Sequence, residues 1–355
     1  MTPRERVEAA LFRRPHDRVP FTAYAEFVPQ CAVERTLRND GLCLIHINIK
    51  RMGFTVNTPA CNAESRRYTE RDTGRSMIRT RVRTPKGDLA WLGSDVGYTV
   101  WRHEMPLKGP EDYAPLIAYI EDMRIEPDYG TILGDRVMRG DDIFIMPAVG
   151  FSPLLDIIIT WMGVETFAIE WAERRDEVMR LYSALLERDR RLFRILADGP
   201  LPAIDYCGNI SPQVVGHQRC KELVFPVYEE FADILHEKGK LLVVHLDADC
   251  GPLADLVAES HIDVIDAFTP APDTDMSVAQ ARASWPDKVL WVNFPSSQHL
   301  ARDEVIREMT CRIIDENGGD DLLLIGITED VPPDCWQRSF QAIGGAIRDH
   351  SHKKS

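Results

Sequence analysis

The eight cysteines, at positions 31, 43, 61, 207, 220, 250, 311 and 335, include no Cys-x-x-Cys pair and no paired spacing. That argues against a four-cysteine zinc site and a disulfide framework, and it suits a reducing cytosol. No stretch is apolar over the length a membrane span needs. The opening MTPRERVEAALFRR carries charges every few residues where a signal peptide has an apolar segment. A soluble, cytoplasmic protein is expected. Positive charge is also scarce: 42 Lys and Arg against 56 Asp and Glu leave a formal net charge of −14, so neither nucleic acid nor an anionic membrane is an expected partner. Neither G-x-G-x-x-G nor a Walker lysine motif occurs, which weighs against an open nucleotide-binding sheet.

What is present is a rhythm. The 355 residues suit one α/β barrel with insertions, expected as a single domain over 1–355. Thr2, Pro3 and Glu5 form a capping pattern for an N-terminal helix that Pro15 ends. Short apolar runs then alternate with amphipathic helical stretches, the longest charged face lying over 174–194. Strands are expected at 19–26, 41–47 (within a candidate run reaching 50), 142–148, 202–206, 240–245, 262–268, 288–294 and 321–327. Alternation of this kind requires parallel pairing with right-handed crossovers, and eight strands give a (β/α)8 TIM barrel of the α/β class. Period-two patterning over 76–107, broken by Pro-Lys-Gly-Asp, predicts an inserted antiparallel hairpin with Trp91, Trp101 and His103 on it.

The chemistry of a barrel stands at the C-terminal ends of its strands. The segment 243–251, VVHLDADCG, is the richest of these, with His245 and Asp247 on one side of a buried strand's end. Asp249, followed by Gly251 and Pro252, reads as ordinary strand-to-helix punctuation. The other ends offer Glu26, Asp205 with Tyr206 and Asn209, Asp266 with Thr269, Asn293 with Ser296, and Thr328 with Glu329 and Asp330. Acids converging on one cavity take up protons or bind a cation. One reading is a Zn2+ site of His245, Asp247 and Glu329, with Cys250 or Asp205 in reserve. The other is metal-free proton transfer by Asp205 or Asp247. Glu26, Tyr206, Asn209, Phe268, Asn293 and Phe294 are the expected substrate-binding residues, with Trp291 a further aromatic candidate.

Three segments resemble the uroporphyrinogen decarboxylase superfamily: MTPRERVEAALFRRPHDRVPF at the start, GKLLVVHLDADCGPLADLVAESHIDVIDAF in the middle and LLLIGITEDVPPDCW near the end. The resemblance implies a (β/α)8 barrel with its site in the mouth. It also implies either decarboxylation or zinc-dependent methyl transfer involving a corrinoid protein. After the first strand this chain reads TAYAEFVPQCAVERTLRND and lacks the Met-Arg-Gln-Ala-Gly-Arg pattern of the decarboxylases, so the methyltransferase branch is the nearer one. That branch holds zinc with His-x-Cys and a later cysteine; here stand His245-x-Asp247 and Glu329. Oxygen ligands leave zinc a stronger Lewis acid than thiolates do. The expectation is therefore demethylation of a small methylated substrate, such as a methoxylated aromatic. The methyl group passes to a corrinoid carried on a separate protein, since the chain has no Asp-x-His-x-x-Gly. A homodimer is expected from the resemblance alone. The competing readings are a decarboxylase or lyase of a small acid, and a non-catalytic ligand-binding barrel.

Overall fold

The computed structural model describes residues 1–47, 53–96, 100–319 and 321–352. The end of the strand candidate at 41–50, from 48 onward, lies outside the described residues. The chain divides into two compact units, one of residues 1–52, 130–149 and 200–355, the other of 53–129 and 150–199.

The first unit is built on parallel strands. In chain order the strands of the whole protein are β1 (Phe21–Tyr24), β2 (Leu42–His46), β3 (Phe54–Asn57), β4 (Asn62–Thr69), β5 (Ser76–Thr84), β6 (Gly87–Asp95), β7 (Val100–Glu104), β8 (Arg124–Pro127), β9 (Ile143–Ile145), β10 (Ala148–Phe151), β11 (Ala203–Cys207), β12 (Leu241–His245), β13 (Val264–Phe268), β14 (Val289–Asn293) and β15 (Leu323–Gly326). One sheet runs β10-β11-β12-β13-β14-β15-β1-β2-β9. Its two terminal strands are two pieces of one chain segment, interrupted at Met146 and Pro147. Met146 N donates to His46 O on one side, and Asp205 N donates to Pro147 O on the other, so the segment closes the ring. Pro147 has no N–H to give, which is why the third strand is split. The result is the eight-stranded (β/α)8 barrel expected from the sequence.

Strand after strand is buried throughout, as parallel strands covered on both faces must be. Inward positions alternate with outward ones. Ala203, Val243, Val264, Val289, Trp291 and Leu324 fill the barrel interior with Cys43, Ile45, Phe144 and Met146. Tyr24, Asp205, His245 and Asp266 continue the same inward rows toward the strands' C-terminal ends. Trp291 is part of this core, its Nε1 donating to Thr22 Oγ1 at 2.8 Å. The N-terminal helix Pro3–Leu11 starts with the expected Thr2–Glu5 capping box.

The second unit holds more strand than a hairpin. Strands β4 to β7 form a four-stranded antiparallel sheet, and β3 pairs with β8. The excursion therefore begins ahead of residue 76, because the polar run 62–69 pairs in full register with β5 although it has no alternation to announce it. Its helices include Tyr113–Asp122, Val164–Glu173 and Arg175–Asp198; Glu170 links them, accepting from Tyr113 Oη and pairing with Arg174. Trp91 is half-buried, Trp101 is 65% exposed, and exposed His103 bonds Ser94 Oγ through Nε2 at 2.9 Å.

Candidate metal and acid-base site

Parallel register assembles the site. β12 and β13 pair with His245 beside Asp266, and β11 pairs with β12 two positions earlier, at Asp205 and Val243. The ligand atoms of Asp205, His245 and Asp266 consequently all lie within 4.8 Å of one another. Asp205 is 1% exposed and Asp266 0%. His245 Nδ1 stands 3.0 Å from Asp266 Oδ2, and the Tyr24 hydroxyl donates to the same oxygen at 2.6 Å, lying 3.3 Å from the imidazole. A carboxylate oxygen accepts, so in this arrangement Nδ1 carries a proton. Asp205 Oδ1 and Asp266 Oδ1 are buried without a hydrogen-bond partner. Two shielded carboxylates with unsatisfied oxygens need a proton or a cation between them.

The electrostatics follow from that crowding. Burial, with the charge of Asp266 added, pushes the Asp205 carboxyl up to about 8, against a smaller opposing pull from His245. Burial works against the charged form of His245, but hydrogen bonds to Asp247 and Asp266 and the charges of Asp266 and Asp205 outweigh it and hold the imidazole well above its ordinary range. For Asp247 burial is likewise opposed, by its contact with His245, and the net shift is downward. Tyr24 is raised well above the ordinary phenol by burial and then by Asp266 and Asp205.

Asp247 sits at the outer edge of this group. Its Oδ2 is 3.6 Å from His245 Nε2 and accepts from Asn209 Nδ2 at 3.4 Å, and its side chain keeps 30% exposure. Asn209 holds a left-handed φ of 42°, and its N–H donates to His245 O. Just before it, a Cβ on Gly208 would stand 2.2 Å from that same carbonyl, so only glycine lets the two strand ends approach.

Other expected site residues fall elsewhere. The ligand atoms of His245, Asp247 and Glu329 do not form a group within 4.8 Å; Glu329 follows β15, three strands from β12, and accepts a hydrogen bond from Ser296 Oγ. Asp266, on the strand next to β12, takes that place in the group. Cys250 is buried, its thiol directed at the carbonyls of Ala248 and Leu246 and pushed up to about 12 by burial and nearby acids. The cap of the following turn is Asp275, which accepts from Cys250 N and Gly251 N, while Asp249 accepts from Gln213. Glu26 lies 3.4 Å from His46 Nδ1. Asn293 ties strand ends together, donating to Thr269 Oγ1 and accepting from Thr328 N.

The three aromatic residues face the helices instead of the mouth. Tyr206 packs on Tyr228 and Phe231, Phe268 edge-on against Trp285, and Phe294 on His299, all at most 1% exposed. Tyr206 and Phe294 each follow an inward polar residue and so point outward by alternation. Phe268 escapes the same-side rule because Ala267, at φ 56°, breaks the register between Ile265 and Phe268. Tyr24 is the site residue missed in the sequence, although period two over the expected strand 19–26 puts it on the side of Glu26; the strand itself ends at Tyr24, and Glu26 lies in the 3-10 turn Ala25–Phe27.

No family model matches this sequence, and no curated protein matches it. Among solved structures it is similar to a methyltransferase from Methanosarcina mazei, at 12% identity and a TM-score of 0.58, over 99% of this chain and 99% of the other. It is also similar to a broad-specificity GH5-4 endoglucanase from an uncultured bacterium, at 8% identity and a TM-score of 0.38, over 65% of this chain and 75% of that one. At such identity the first likeness shows a shared fold across the whole chain.

Proposed function

We propose that the protein is a metal-dependent methyltransferase that takes a methyl group from a small methylated substrate, a methoxylated aromatic in the simplest case, and delivers it to a corrinoid on a separate protein. The observation that carries the reading is the cluster of two fully shielded carboxylates and one imidazole, with a partnerless oxygen on each acid. Such a donor set fits a divalent cation: Asp205, His245 and Asp266 would hold it, and oxygen and nitrogen donors suit Zn2+. When bound, the ion supplies Lewis-acid polarisation of the oxygen that leaves as the methyl is lost. The full-length likeness to a methyltransferase supports the same class.

The chain's own residues then have separable duties. Tyr24 holds Asp266 Oδ2 in place by donation. Asp247, fixed by Asn209 and His245, offers a partly exposed carboxylate at the outer edge of the site to orient substrate or accept a proton. The test is spectroscopic. Zinc-loaded protein, a panel of methoxylated aromatics and a reduced corrinoid protein should give methyl-cobalt absorption with stoichiometric phenol. Phenol release independent of the corrinoid protein, or no demethylation across the panel, would contradict the proposal.

A second reading keeps one specific observation. With its carboxyl pushed up to about 8, Asp205 retains a proton near neutrality and is placed to donate it, as a decarboxylase or lyase of a small acid requires. Carbon dioxide release from a small acid, lost in Asp205→Asn and indifferent to chelator, would establish this reading over the first.

A further inference from the structure

The antiparallel sheet of the second unit carries a surface the proposed reaction does not use. Cross-strand register places Tyr68, Met77, Ser94 and Trp101 in one row, and Arg66, Arg79 and Leu92 in the next, with Glu104 opposite Leu92. Paired residues share a face, so the row with Tyr68 and Trp101 lies beside the row with Arg66 and Arg79 on one side of the sheet. Trp101 is 65% exposed and Tyr68 39%. Arg66 stands directly opposite Arg79, with Arg81 two residues further along β5. Arg79 is held by a two-pronged pair with Glu104, at 2.7 and 2.9 Å. Glu64 is in register with Arg81, yet no ion pair joins them among the described residues. A groove of about 920 Å3 lies here, lined by Arg66, Arg71, Arg79 and Arg81 against Glu64, with Tyr68 in its wall.

Like charges opposed across a strand pair cost stability, and a protein of net charge −14 has no general reason to gather four arginines on one groove. Exposed Trp and Tyr flanking Arg is the composition of binding hot spots. We infer that this face is a docking surface for an acidic protein partner, whose carboxylates meet Arg66 and Arg81 and whose apolar or aromatic side chain covers Trp101. Strand β4, at the edge of the sheet with all eight residues exposed, adds a row of backbone groups that an extended acidic segment can pair with. The inference is independent of the reaction proposed for the barrel.

The test uses the full chain and a short fluorescein-labelled peptide of alternating Glu and Val, followed by anisotropy at low and at physiological ionic strength. Binding is expected despite the protein's net negative charge, with a steep loss on adding salt. Arg66→Glu combined with Arg81→Glu, and separately Trp101→Ala, should each weaken it at least about tenfold while leaving thermal melting unchanged. Equal binding by the variants, or no binding at low salt, would overturn the inference. Full displacement of the peptide by stoichiometric tripolyphosphate would overturn it in favour of a small-anion site. A concentration-dependent dimer in sedimentation velocity that Trp101→Ala abolishes would overturn it in favour of a second copy of the chain.

Discussion

The Tyr24 hydroxyl donates a 2.6 Å hydrogen bond to Asp266 Oδ2, joining residues 242 positions apart, one at the end of β1 and the other in the middle of β13. Because His245 Nδ1 lies 3.0 Å from the same oxygen, one carboxylate organises a phenol and an imidazole together. Outer groups that orient metal ligands in this way typically change affinity 10- to 100-fold when removed. Tyr24→Phe keeps the ring in the core and deletes only the donor. Zinc affinity, measured by competition with a chromophoric chelator, is expected to fall about 10- to 100-fold. Unchanged affinity would show that Tyr24 is only a packing residue.

In the metal-free protein, Asp205 gives stability a definite sign with pH. Its folded value of about 8 exceeds the ordinary carboxyl value, so the folded state binds more protons through the interval between them. Its contribution is present at acid pH and is lost as pH rises toward 8, with a slope of at most about 1.4 kcal/mol per pH unit. The raised His245 acts in the same direction once pH passes the ordinary imidazole value. Urea unfolding between pH 5 and 8 should therefore show wild type losing ground to Asp205→Asn as pH increases. A constant difference between the two would contradict the burial of an ionisable Asp205.

Gly208 is a test of how the site is built. A Cβ there meets the His245 carbonyl at 2.2 Å, and that carbonyl belongs to backbone that cannot swing aside. Gly208→Ala is expected to destabilise the fold by about 1–3 kcal/mol, as overpacking does. It should also weaken metal binding, because Gly208 directly follows β11, which carries Asp205, and its Cβ would press on His245, the last residue of β12. Chemical denaturation and the chelator competition measure the two effects. A variant as stable as wild type would mean that the strand ends relax freely.

Much of the barrel was legible because a strand buried on both faces needs an apolar run, and such runs end visibly in polar residues. VVHLDAD and HIDVIDAF announce β12 and β13 in this way. Register was not legible. Nothing in the local sequence says that His245 pairs with Asp266 while Glu329 lies three strands away, and so the ligand set expected from the sequence did not include Asp266, whose ligand atom lies within 4.8 Å of those of His245 and Asp205. Period two could have assigned Tyr206 and Phe294 to the helix side. The left-handed Ala267, which turns Phe268 outward as well, carries no glycine to mark it. Strand β4 escaped notice because its residues are exposed on both faces and pattern arguments need one buried face.

Metal content distinguishes the cluster of Asp205, His245 and Asp266 from any other metal site. Purified protein dialysed against zinc at neutral pH, and analysed by inductively coupled plasma mass spectrometry, is expected to hold about one zinc per chain through its three-donor site. Asp266→Asn and His245→Ala should lose it, while Glu329→Ala, altering a residue hydrogen-bonded by Ser296, should keep it. Retention in Asp266→Asn together with loss in Glu329→Ala, or no zinc in wild type, would contradict the assignment of Asp205, His245 and Asp266 as the metal centre.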